Sequence, residues 1–195
     1  MSKEIINSSK VLYSEGKNDE WKTPKYAVEA IAKYISPTIH TPYGTRKTII
    51  WCPFDEYDDS EYINVFLEKG FEVKYTHIKN GEDFLEYEPN FDWDIIVSNP
   101  PFTNKRAIFE RAMYWNKPFA LLMSNTWLND AAPKQIFKDS TGKDVLQLLM
   151  FDKRINFINK STGEFCKKGI TFSSSYYCRD ILPRDIICDS LIIDK

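Results

Sequence analysis

Asn99, Pro100, Pro101 and Phe102 stand directly after the apolar run Ile95-Ile96-Val97 and Ser98. Each proline fixes its own φ and biases the residue before it toward extended backbone, so the chain leaves that run as a stiff, extended turn. Neither proline carries an N–H, which leaves the carbonyls of this stretch little local competition as acceptors. Asn99 adds a side-chain carbonyl whose position is set by the stiff backbone. Phe102 supplies a flat apolar face beside it. A flat ring bearing an NH2 group fits this arrangement, with both hydrogens held by acceptors and the ring stacked on Phe102. The exocyclic amine of adenine meets that description.

The elements that must position these residues follow from spacing. Residues 24–35 place Tyr26/Ala27, Ala30/Ile31 and Tyr34/Ile35 at helical intervals, with Thr23 as N-cap and Pro24 at the first helical position. After a loop rich in Thr, Pro and Gly, residues 48–52 read as a strand covered on both faces. Residues 58–70 read as a helix capped by Asp or Ser and stopped by Gly70. A second strand is expected over 71–78, a turn at Asn80-Gly81, one helical turn over 83–87, and a third strand over 94–98 that delivers Asn99. Residues 103–115 are helical, 119–124 a strand, 126–139 an interrupted helix, and 145–150 a strand. Residues 154–158 and 169–178 alternate in a way that predicts a final antiparallel ribbon. Alternating strands and helices imply a doubly wound α/β sheet, mostly parallel, whose ligands sit beyond the carboxyl ends of the strands. The expected organisation is an N-terminal arm over 1–20 and one domain over 21–195.

Composition narrows the function classes. The 195 residues, 43% hydrophobic and 15% aromatic, suffice for one well-buried domain. No run of 18 apolar residues and no apolar leader core occur, so a soluble, cytoplasmic chain is expected. Cys52, Cys166, Cys178 and Cys188 lack C-x-x-C spacing and only two histidines are present. That argues against zinc and against a disulfide framework, and leaves free thiols and no metal site. The net charge of −2 offers no overall surplus for binding phosphates. The charge is segregated, however. Asp55 to Asp94 holds thirteen acidic residues against Lys69, Lys74 and Lys79, whereas Lys138 to Lys168 holds seven basic against four acidic. The later half is thus the side that a polyanion would meet, with Lys153, Arg154, Lys160, Lys167 and Lys168 the candidates for phosphate contact.

The run D-x-I-x-x-N-P-P-F, carried by Asp94, Ile96, Asn99, Pro100, Pro101 and Phe102, resembles the catalytic motif of S-adenosylmethionine-dependent adenine-N6 DNA methyltransferases. Trp21-Lys22-Thr23-Pro24 is similar to the Thr-Pro motif by which such enzymes contact the methionine end of the cofactor. Gly81-Glu82-Asp83-Phe84-Leu85 resembles the family's G-x-D-F segment, whose Asp accepts from the cofactor's adenine amine. Residues 154–158 and the later Thr-Phe-Ser-Ser-Ser resemble the closing strands of small phage-type enzymes. The resemblance implies a Rossmann-like methyltransferase fold and S-adenosylmethionine as cofactor. It also implies methyl transfer to N6 of adenine in DNA, with Asn99, Pro100, Pro101 and Phe102 at the acceptor amine.

One segment departs from the pattern. Where the family's first strand runs into D-P-F-x-G-x-G, this chain has Cys52-Pro53-Phe54-Asp55 and no glycine. Pro53 and Phe54 match; Cys52 stands in place of the Asp. The acidic loop still offers Asp55, Glu56 and Asp58 to an ammonium or sulfonium. At the end of the second strand the family's acidic ribose ligand is missing, and His77 is the candidate there. Two alternatives stay open: a methyltransferase-fold chain that binds a protein or nucleic acid without turnover, and an enzyme whose acceptor is RNA or protein.

Overall fold

The computed structural model describes residues 21–165 and 172–193. The arm expected over 1–20 lies outside the described residues. The chain begins with β1 (Trp21–Lys22) and α1 (Lys25–Ala32), followed by a hairpin of β2 (Thr38–Thr41) and β3 (Gly44–Lys47). Next come β4 (Ile49–Cys52), α2 (Glu61–Glu68), β5 (Glu72–Tyr75) and β6 (Ile95–Ser98). The second half holds α3 (Lys105–Tyr114), β7 (Phe119–Ser124), α4 (Ala131–Ile136), β8 (Gln147–Phe151), β9 (Ile158–Asn159), β10 (Ser174–Arg179) and β11 (Ile186–Asp189).

Seven strands form one mixed, mostly parallel sheet in the order β11-β8-β10-β7-β6-β4-β5. Parallel pairing joins β5, β4, β6 and β7, and also β8 and β11, while β10 runs antiparallel to both of its neighbours. Successive side chains in a strand face opposite layers. Ile50, Cys52, Val97, Ala120, Leu122 and Tyr176 accordingly pack with α1 and α2 on one side. Trp51, Ile96, Leu121, Met123 and Tyr177 pack with α3 and Trp127 on the other. After β4 the chain passes through α2 to β5 at the sheet edge, then recrosses to lay β6 on the opposite side of β4. The strand order therefore reverses between β4 and β6, and such a switch point opens a crevice at the carboxyl ends.

The differences from expectation lie at one helix start and in how strands pair. Helix α1 begins at Lys25, one residue later than expected, with Pro24 as N-cap and no side-chain cap; the Pro24 carbonyl accepts the Ala27 N–H at 3.0 Å. The two segments expected to pair as a closing ribbon part company: β9 pairs with β1, and β10 enters the main sheet between β7 and β8. All six residues of β10 are buried, and a strand without an outward polar face belongs inside a sheet covered on both sides. The hairpin of β2 and β3 replaces the loop expected there, and β11 is an edge strand that no expectation covered. Arg46 pins the hairpin by two 2.7 Å bonds to Asp94, whose carboxylate also accepts the Ile49 N–H at 2.8 Å. Cys52 and Cys178 are buried free thiols and Cys188 an exposed one, while Cys166 lies outside the described residues. Among the described residues no helix is long and apolar enough to cross a membrane.

Of the caps expected for α2, serine is the one used. Ser60 Oγ accepts from the Tyr62 and Ile63 N–H groups at 3.1 and 3.4 Å, and Gly70 ends the segment at φ +88°. Ser60→Ala should cost about 1–2 kcal/mol, read as a lower urea midpoint. An unchanged midpoint contradicts the capping role.

Candidate active site

The carboxyl ends of β4 and β6 are tied together by one carboxylate. Asp55 accepts the Ser60 hydroxyl at 2.6 Å and, through its other oxygen, the Ser98 hydroxyl. Ser98 is fully buried and Ser60 nearly so. Burial pushes the Asp55 carboxyl above its ordinary value, against the opposing pull of Ser60, Ser98 and the Lys160 ammonium. Beneath this tie lie the Tyr62 and Tyr176 hydroxyls, 3.0 Å apart, with Tyr176 donating to the Ala27 carbonyl at 3.2 Å. Strand, helix start and turn thus form one connected unit.

Asn99 leaves β6 immediately after this anchor. Its Oδ1 is buried and has no hydrogen-bond partner. Pro100 is buried, Pro101 exposed, and the half-buried Phe102 ring meets Phe172 edge-on at 5.4 Å between centroids. An orphaned buried acceptor costs about 1–3 kcal/mol, so each such atom calls for an explanation. Among the described residues seven other buried side-chain atoms are in the same condition, and three of them, Asn125 Oδ1, Ser174 Oγ and Ser175 Oγ, fall with Asn99 at the same end of the neighbouring strands β6, β7 and β10.

The other expected site residues divide. Trp21 lies in β1, whose pairing with β9 brings Ile158–Asn159 beside the start of α1; Thr23 and Pro24 are buried there. Pro53 is buried, and Phe54 packs on Phe84 at 4.8 Å. Phe84 itself is a core ring against Trp51 and Trp115, so its side chain faces inward. The Cys52 thiol is fully buried, and its carbonyl accepts from Thr76 N–H at 3.1 Å. Asp83 Oδ1 accepts the Leu85 N–H at 3.0 Å and holds the expected turn. His77 Nδ1 lies 3.2 Å from both the Lys79 backbone nitrogen and Glu56 Oε1. Trp127 is in the core, stacked on Phe109.

The acidic loop is extensively paired. Lys22 reaches Asp59 and Glu61 at 3.5 and 3.2 Å, Lys160 reaches Asp59 at 3.3 Å, and Lys79 reaches Glu56 at 2.9 Å. Lys160, expected to meet phosphate, is therefore engaged by the loop after β4. Lys153 Nζ donates to the Leu191 carbonyl at 3.3 Å, and Arg154 is exposed. Lys167 and Lys168 lie outside the described residues. No grouping of metal-ligating side chains occurs among the described residues. A separate hollow of about 200 Å³, lined by Tyr34, Ile35, Ile39, Thr48 and Ile95, opens at the amino ends of β4 and β6, away from Asn99.

Sequence reasoning marked a serine cap for α2 but missed Ser60 as a partner of Asp55, and it missed Ser98, Asn125 and Ser174 as site residues. The signal for Ser98 and Asn125 was a repeat: β6 and β7, adjacent and parallel, end in Ser98-Asn99 and Ser124-Asn125. Compared with known proteins, the chain matches no family model, and no curated protein aligns with it significantly.

Asp55 gives the site a pH signature. In the unfolded chain its carboxyl titrates near 3.8, and in the fold it titrates higher. Between the two values the native state binds more protons, so this group's contribution to stability falls as pH rises through that window. Asp55→Asn cannot ionise. Urea unfolding of both proteins between pH 4 and 7 should show wild type losing ground to Asp55→Asn as pH rises. A gap independent of pH contradicts the raised value.

Proposed function

We propose that this chain is an S-adenosylmethionine-dependent methyltransferase acting on the exocyclic N6 amine of adenine in DNA. The carrying observation is the buried, unpartnered Asn99 Oδ1 at the carboxyl end of β6, next to the switch point between β4 and β6. An acceptor held in place and left unbonded suits a ligand that brings an N–H donor. Residues 172–175 of the Thr-Phe-Ser-Ser-Ser segment, which resembles a closing strand of those enzymes, lie at the start of β10 beside the end of β7.

The residues present fit the cofactor's cationic groups. Asp55, at the end of β4, and the carbonyls of the following loop are acceptors for an ammonium, while Thr23-Pro24 lies at the start of α1 and Asp83 and His77 lie beyond β5. When bound, S-adenosylmethionine supplies a methyl group on a sulfonium. The chain's own task is at the amine. A lone pair delocalised into the adenine ring is a poor nucleophile, and hydrogen bonds from N6–H to Asn99 Oδ1 and the Pro100 carbonyl favour a pyramidal nitrogen and return density to it. Phe102 holds the ring by its face, and the two prolines keep all three groups from shifting. The rate comes from positioning and from complementarity to the transition state rather than from a side-chain proton transfer. A base taken from a duplex must first be flipped out, at a cost of a few kcal/mol, partly offset by stacking on Phe102.

A second reading, a non-catalytic binding protein on the same fold, draws on the glycine-free loop after β4. There Phe54 fills against Phe84 and lysines occupy the acids. Calorimetric titration with S-adenosylmethionine separates the two, since absent heat favours the second.

Asn99→Ala should lower turnover with labelled S-adenosylmethionine and DNA by about 10²-fold or more. Cofactor affinity should stay within about threefold, because the residue acts on the amine. Equal losses in both reject the role given to Asn99.

A further inference from the structure

The orphaned atoms around Asn99 carry the reading of this site one step further. Asn99 follows Ser98, which stands level with Leu121 of β7, so Asn99 is level with Leu122 and, across the next ladder, with Tyr176 of β10. Leu122 and Tyr176 face the α1 and α2 layer. Ser174 precedes Tyr176 by two residues and therefore shares that face. It is paired with Ser124 at the end of β7. Two strand spacings across and two residues along separate the Asn99 and Ser174 backbones by about 12 Å. That separation accommodates a flat two-ring heterocycle with a polar group at each end.

Ser174 is 5% exposed, and its hydroxyl has no partner. Its neighbour Ser173 is fixed from outside, because the Asn125 N–H donates to the Ser173 carbonyl at 2.8 Å. Asn125 Oδ1 is likewise buried and unpartnered. The Ser124 carbonyl accepts the Tyr177 hydroxyl at 3.1 Å, which locks the end of β7 to β10. A rigid frame thus holds the unsatisfied Ser174 hydroxyl two strands from Asn99. A serine hydroxyl both donates and accepts; a purine offers an N–H donor at its amine and, at a ring nitrogen, an acceptor with an in-plane lone pair.

We propose that Ser174, backed by Asn125, is a specificity-determining contact to a ring nitrogen of the purine whose amine Asn99 holds. This rests on the reading of the site as an adenine site. Asn99 selects an NH2 group on a flat ring, a feature that cytosine shares. Ser174 adds the second point that distinguishes the larger ring.

The test uses the full chain and a fluorescein-labelled single-stranded oligodeoxyadenylate, followed by fluorescence anisotropy. Ser174→Ala should weaken binding by about fivefold, the worth of one hydrogen bond, and should leave an oligothymidylate unaffected. Among oligonucleotides carrying 1-deaza-, 3-deaza- or 7-deazaadenine, one should lose a similar factor on wild type and no further factor on Ser174→Ala. The melting temperature of Ser174→Ala should be unchanged or higher, since its hydroxyl bonds nothing in the free protein. Equal binding by Ser174→Ala, an equal loss on oligothymidylate, or the same loss from every deaza base on both proteins overturns the assignment. Wild type that ignores oligodeoxyadenylate overturns both this inference and the adenine reading. Wild type that binds it with this pattern yet transfers no methyl removes only the enzyme reading.

Discussion

The site depends on one carboxylate doing two jobs. Asp55 stands beyond β4, accepts from the serine that caps α2, and accepts from the serine that ends β6. A parallel sheet leaves a crevice where its strand order reverses, and the walls of that crevice are loops with no ladder between them. Here the walls are joined by hydrogen bonds instead. The charge is carried into a buried setting, which raises the carboxyl's pKa. The fold accepts that cost because two hydroxyls and a nearby lysine partly compensate it. Asn99 then starts from a fixed point, and Pro100 and Pro101 extend that rigidity outward.

The loop after β4 is fixed in a similar way. Acidic residues between Asp55 and Glu61 would repel one another if left alone, and Lys22, Lys79 and Lys160 come from three different parts of the chain to meet them. Their pairing brings the β1 and β9 ribbon against the loop after β4. Exposed pairs of this kind contribute little to stability; their consequence is geometric, since they hold the β1 and β9 ribbon against the loop after β4. The charge asymmetry seen along the sequence is consequently less marked in space, where Lys160 from the basic half sits among acids of the other half.

Much of the architecture was legible because it is local. The helices over 61–68 and 105–114 and the strand over 119–124 follow from apolar spacing, a serine cap and Gly70. The alternation of strands and helices carried the sheet class. What was not legible is pairing. Nothing in the alternation of 154–158 or 174–179 says that the first joins Trp21–Lys22 and the second inserts between β7 and β8, since those choices are made by tertiary burial. The hairpin over 38–47 was hidden because Ile39 is the one aliphatic residue in its two strands and β3 is exposed throughout. At the site, proline chemistry marked Asn99. Ser98 and Ser174 were invisible as partners because a lone serine has no signature until the fold brings something to it.

In the proposed reaction a fixed amide oxygen at the end of β6 receives the amine of adenine. Nucleoside mass spectrometry of DNA incubated with the purified chain and S-adenosylmethionine tests it most directly. N6-methyldeoxyadenosine should form, and should be absent when the chain is omitted. DNA that returns only unmodified deoxyadenosine, from a protein that binds the cofactor, would contradict it.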